Sequence, residues 1–220
     1  MRKALLYELA FATVGLVGTA HLLYRLRFIP WIDASLATIV AILFLYLPTI
    51  VLWRKRRSID FLDRSVRDAL RSFVVFVVVA VIVFTPFFYL ARFWQEGIFG
   101  LPSFRMAEYP RFWSVTLFQI LMVALPEEFY FRGYFQSTVD RCFEKRWNIL
   151  GVKLGWGWIL TALVFAFAHS IVVVRWWHFA IFFPALLFGY LRERTGSITA
   201  PILFHAASNV FMDWFVRGYV

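Results

Sequence analysis

Long apolar runs separated by short polar breaks set the pattern of this chain, at about 4–24, 31–53, 72–93, 112–136, 155–174, 177–191 and 197–216. An α-helix needs roughly 20 apolar residues, at about 1.5 Å per residue, to cross about 30 Å of hydrocarbon. The pattern therefore predicts about seven transmembrane helices. The first run follows Arg2 and Lys3, as in a signal peptide. It is too long for a typical signal core, lacks a clear small-residue cleavage site and is followed by further runs, so it reads as a membrane helix. After the second run, Arg54-Lys55-Arg56-Arg57 leads into a stretch where Ile59, Leu62, Val66, Leu70 and Phe73 recur at helical spacing. Asp60, Asp63, Arg64, Arg67 and Asp68 fill the other face, which predicts an interfacial amphipathic helix. Segment 94–111, with Gly97, Gly100, Pro102 and Pro110, reads as a long loop. The fold expected is all-α: a polytopic transmembrane helical bundle of about seven helices plus the interfacial helix, in a single integral membrane domain over 1–220.

Composition agrees. The chain is 62% hydrophobic, 21% aromatic and 16% charged, too apolar for a domain with a solvated surface. A net charge of +10 would suggest nucleic acid in a soluble protein. Here Lys and Arg sit in short loops, a pattern that fits topology and anionic lipid head groups better, and no nucleic-acid partner is expected. The basic loops 54–71 and 137–154 lie on the same side as the N-terminus, which places that terminus inside; the membrane expected is a bacterial cytoplasmic one. Arg175, Trp176 and Trp177 read as an interfacial anchor. A single cysteine, Cys142, excludes an internal disulfide framework.

Against this background the fourth run is anomalous, because it carries Glu127, Glu128 and Arg132. Ionisable side chains at bilayer depth cost about 2.5–3.5 kcal/mol on insertion scales and mark functional sites or paths. Glu128 and Arg132 are four residues apart and can pair on one helical face. Glu127 is turned by about 100° from Glu128, which leaves it as the spare carboxylate. Pro126 just before it removes a backbone donor and can kink the helix. Further polar residues stand in Phe165-Ala166-Phe167-Ala168-His169 and in His205-Ala206-Ala207-Ser208-Asn209. Small neighbours permit close helix approach, and His205 and Asn209 share a face.

Two histidines, an amide and a free carboxylate from three runs suit hydrolysis: Glu or His takes a proton from water, and His and Asn donors hold an oxyanion. The same groups are compatible with a zinc site having an open water position, and spacing alone does not decide between them. A structural ion-pair network, a non-proteolytic scaffold or a proton relay would use some of the same charges. Besides the Glu pair, the acids nearest run centres read as Asp33 and Asp213, both toward run ends. His21 and His178 read as packing or interfacial residues.

Taken together, Glu127-Glu128-x-x-x-Arg132, Phe165-x-x-x-His169 and His205-x-x-x-Asn209 resemble, in order, the EExxxR, FxxxH and HxxxN motifs of the CPBP family of intramembrane proteases. That family includes CAAX prenyl endopeptidases and bacteriocin-processing or immunity-related (Abi-like) members. The resemblance covers about 120–215. It implies an intramembrane glutamic endopeptidase with a catalytic core at about 112–216. Glu127 and His169 would activate water, His205 and Asn209 would form the oxyanion hole, Glu128 and Arg132 would support the site, and Phe165 would pack. The family is read as requiring no metal or cofactor, and its partners are a membrane-associated protein or peptide substrate and the lipid bilayer. The chain is short beside the prenyl-protein enzymes, which leaves the substrate open between prenylated and unprenylated peptides. The His-Glu-x-x-His of zinc proteases is absent.

Overall fold

Why the runs become helices follows from their solvent: in hydrocarbon every backbone N–H and C=O must be satisfied within the segment. The computed structural model describes residues 2–219 apart from the side chains of Trp176 and Trp177, so the anchor expected at those two residues lies outside the described residues. Among the described residues there are seven helices and a short hairpin. They are α1 (Arg2–Arg25), α2 (Pro30–Arg54), α3 (Val66–Ile98), α4 (Phe112–Cys142), β1 (Arg146–Ile149), β2 (Val152–Gly155), α5 (Trp156–Val172), α6 (Phe182–Thr195) and α7 (Thr199–Arg217). The first four helices are long and apolar enough to cross a membrane, and α5 is a shorter apolar helix. α6, at 14 residues, is about 21 Å long and ends where Gly196 takes a left-handed φ of 76°, a conformation that glycine adopts without a Cβ penalty. A 3-10 turn, Trp176–Ile181, precedes it.

α4 is the central element. It touches α1, α2, α5, α6 and α7, and every residue from Phe129 to Gln136 is buried. α3 lies outside, packed on α6 and α7, with Val74, Val78, Val81 and Ile82 exposed as befits a lipid-facing surface. The loop between α5 and α6 was expected as a break; the loop expected over 94–111 begins only after Ile98, because wide turns over Phe93–Ile98 carry α3 onward. The 137–154 segment, expected only as a basic loop, contains the antiparallel pair Arg146↔Gly155 to Ile149↔Val152.

One expected element is absent. The amphipathic helix read over Ile59–Phe73 does not form as a unit: residues 57–64 are irregular, and helix begins at Val66. Two causes are visible. Ser65 caps α3 by accepting from the Asp68 amide at 3.1 Å, which fixes the helix start. Upstream, Phe61 is buried (1% exposed) against Gly133 of α4, where an added Cβ would meet the ring at 2.5 Å. The loop is stapled by Ile198 N–H donating to the Phe61 carbonyl at 3.0 Å, and by Ser72 and Thr199 hydroxyls donating to Asp63 at 3.0 and 2.5 Å.

The acids near helix centres also need correction, since Glu8 of α1 was passed over. It accepts from Arg57 at 3.0 Å and from the Tyr134 hydroxyl at 3.2 Å. The arginine reaches it because the 55–65 loop folds back under the bundle.

Candidate active site

The segment carrying the Glu pair is held between two stretches of wider, i→i+5 turns, Gln119–Ala124 and Phe129–Gln136. Such turns are rare and recur at functional sites. Pro126 helps to explain the first, because its ring crowds the carbonyl four residues back, at Met122, and it has no N–H to donate. The result is a short α-helical piece, Leu125–Glu128, that directs two adjacent carboxylates to different surroundings.

Glu128 is fully buried. Its Oε1 accepts from Arg132 Nη1 at 3.0 Å and from His205 Nδ1 at 2.9 Å. Arg132, equally buried, also donates from Nη2 to the Ala185 carbonyl at 3.1 Å. Its guanidinium carbon lies 4.4 Å from the Phe165 ring centroid and 5.0 Å from that of Phe188. A delocalised, planar cation in the corner of two perpendicular rings, their centroids 6.2 Å apart, is favoured over an ammonium at such a site. Phe188 in turn stacks on His205, with centroids 4.9 Å apart and planes 16° from parallel.

Glu127 meets the histidines. Its Oε2 is buried and has no hydrogen-bond partner among the described residues, yet it faces His169 Nε2 at 3.7 Å and His205 Nε2 at 3.9 Å. Each ring is anchored through its other nitrogen. His169 Nδ1 donates to the Phe165 carbonyl at 2.9 Å and His205 Nδ1 to Glu128. With Nδ1 so engaged, each ring turns its Nε2 toward the same Glu127 oxygen. The FxxxH spacing thus has a local meaning, since the carbonyl of the Phe is the anchor of the His one turn later.

Asn209, one turn past His205, hydrogen-bonds to none of these groups. Its Nδ2 donates to Gln119 Oε1 at 2.9 Å. Gln119, Phe188 and His178 are the site residues that sequence reasoning missed. Gln119 was detectable as a lone polar residue in an apolar run, whereas one phenylalanine among 27 carries no signal. His178, read as packing or interfacial, lines the same cavity as Glu127 and His169. That cavity, of about 200 Å³, is walled by Val17 and Ala20 of α1 and by Val40 and Phe44 of α2. The N-terminal helices, which the motifs do not reach, therefore form one side of the site. A larger apolar cavity of about 730 Å³ between α3, α4 and α7 contains none of the motif residues. Among the described residues no three or more His, Cys, Asp or Glu side chains are grouped to hold a metal ion.

Residues 109–211 match the family model described as Type II CAAX prenyl endopeptidase Rce1-like. Among curated proteins and among solved structures nothing matches the chain. Together with the three motifs, the match places this segment in the CPBP/CAAX family of intramembrane proteases. With its long apolar helices the chain is an integral membrane protein, and its 109–211 segment is, in general terms, of the CAAX-type peptidase kind.

Proposed function

We propose that the protein is an intramembrane glutamic endopeptidase in which Glu127 activates water against a peptide bond of a membrane-associated protein or peptide. One observation carries this reading: a buried, unpartnered Glu127 oxygen faces two imidazole Nε2 atoms at 3.7 and 3.9 Å. Those separations are too long for direct hydrogen bonds and suit a water molecule that donates to Glu127 and to His169.

The water donates toward Glu127 and His169 and loses a proton to this set as its oxygen bonds to the carbonyl carbon. The carbonyl becomes a tetrahedral oxyanion, held by the Asn209 N–H and by His205, whose Nε2 receives that same proton from the adjoining Glu127. Glu128, hydrogen-bonded to the opposite nitrogen of that ring, stabilises the imidazolium as it forms. Collapse breaks the C–N bond, the proton passes to the departing amine, and the products are an acid and an amine. No metal or cofactor takes part in this scheme. The basic 54–71 and 137–154 segments face the cytoplasm of a bacterial inner membrane, with the N-terminus inside.

The test uses purified protein in liposomes with an internally quenched peptide bearing an S-farnesyl cysteine three residues from its C-terminus, and an unprenylated twin. The expected result is cleavage by the wild type and loss of roughly 10²–10⁴-fold in kcat for Glu127→Gln. Undiminished cleavage by that variant would overturn the assignment of Glu127. Equal cleavage of the twin would make the prenyl group irrelevant. Activity abolished by a chelator and restored by Zn²⁺ would overturn the metal-free scheme.

A further inference from the structure

α4 and α7 are tied by side-chain hydrogen bonds at two levels, and only one of them involves the Glu and His groups already described. The first is Glu128 with His205 at 2.9 Å; the second is Gln119 with Asn209, also at 2.9 Å. Both members of the second pair are half-buried. Gln119 opens the wide-turn stretch Gln119–Ala124, which packs directly on α7. Its side chain stands outside all three motifs.

The chemistry of a carboxamide makes this contact consequential. Asn209 has one end that donates two hydrogens and one that only accepts. Rotation about its last side-chain bond is soft, so an unrestrained amide turns either end toward the reaction. A donor stabilises a developing oxyanion, whereas an oxygen lone pair repels it. With Nδ2 donating one hydrogen to Gln119 Oε1, the nitrogen end is fixed, and its second hydrogen remains for the substrate.

We propose that Gln119 is a positioning residue that orients the Asn209 carboxamide with its N–H toward the reacting carbonyl oxygen. The proposal rests on the reading of Asn209 as an oxyanion donor. It assigns the role to the Gln119 oxygen, as an acceptor, and not to side-chain bulk.

The experiment measures kcat and KM on the farnesylated quenched peptide in liposomes for wild type, Gln119→Leu, Gln119→Glu, Asn209→Ala, Gln119→Leu with Asn209→Ala, and Glu127→Gln. Protein level and melting temperature are measured alongside. Gln119→Leu is expected to lower kcat roughly 10- to 100-fold with KM within about twofold, as misplacement of a catalytic group does. Gln119→Glu, which can still accept, is expected to recover most of that loss. The double variant is expected to be no slower than Asn209→Ala, because a group that acts only through Asn209 has nothing left to orient.

Unchanged kcat in Gln119→Leu, or a double variant slower by the product of the single losses, would overturn the proposal. A folded Gln119→Glu as slow as Gln119→Leu would also overturn it, since the glutamine would then be donating to Asn209 and not accepting. If Gln119→Glu does not accumulate, the double-variant comparison decides alone. Failure of the underlying reading is distinct: turnover by Glu127→Gln overturns the glutamic mechanism, and full activity in Asn209→Ala removes the oxyanion role together with that of Gln119.

Discussion

Glu127 and Glu128 are adjacent and chemically identical, and their surroundings separate them. Glu128 has a guanidinium and an imidazole on one oxygen; Glu127 faces two imidazoles beyond hydrogen-bond distance and lines a cavity. Removing one member of a fully buried ion pair leaves the other uncompensated, at a cost of about 3–5 kcal/mol. Arg132→Ala is therefore expected to lower thermal stability and yield, while Glu127→Gln leaves both near wild type. Thermal melts of the purified proteins check this, and equal melting of both variants would contradict the division of labour. Arg132→Lys should also fall short, because an ammonium keeps the charge but lacks the planar group that lies against both Phe165 and Phe188. The motif residues were legible because charges and histidines in an apolar run are costly and hence conspicuous. Phe188 was not, because nothing in a sequence tells which of many rings stacks on His205.

At the scale of elements, α4 achieves its geometry by departing from a regular helix around Pro126. The Pro was legible as a disturbance; which turns would widen was not, since that depends on neighbours from five other helices. The 55–65 loop shows periodicity overruled. The apolar spacing of Ile59, Leu62, Val66, Leu70 and Phe73 is real, but all five side chains remain exposed while Phe61, outside the stripe, is buried. Gly133 makes this possible, and its replacement is a direct test. Gly133→Ala would press a methyl group into the Phe61 ring, an overpacking cost of about 1–3 kcal/mol. The melting temperature should drop, and Phe61→Leu in the same chain should recover part of the loss. An unchanged melt would show that the loop does not depend on this close approach.

At the scale of the whole molecule, the positive loops predict which side each end faces. Cys142 is buried, so single cysteines at exposed Ser58 and Ser103 can be labelled against a silent background. A membrane-impermeant maleimide added to intact cells should label Ser103→Cys and spare Ser58→Cys; the reverse pattern would invert the topology. The 99–111 loop is strapped to the end of α7 by Arg105 N–H donating to the Gly218 carbonyl at 3.0 Å and by the Tyr109 hydroxyl donating to Asp213 at 2.6 Å. Burial, and then the bond to Asp213, push Tyr109 up to about 12 from its ordinary value of 10.0. A raised value means that the folded form holds this proton more tightly. The Tyr109 bond of the strap is fully present below about pH 10 and is lost as pH rises through about 12. Proteolysis of this loop should rise over that window in the wild type, while Tyr109→Phe shows its weaker attachment already at neutral pH.

The sequence by itself determined that this is a membrane-embedded helical bundle and which polar residues are anomalous in it. Both properties depend on composition and on spacing along one chain: an apolar run must satisfy its own backbone, and a charge within it must find a partner. The i,i+4 spacing already paired Glu128 with Arg132 and left Glu127 spare; only the tertiary structure decided that Glu128 also meets His205 and that Glu127 faces two imidazoles. It also brought α1 and α2 to the cavity wall, seated Phe188 between Arg132 and His205, and set Gln119 against Asn209. Those relations join residues 17 or more positions apart, where no local period operates and only the packing of helices in three dimensions selects the contact.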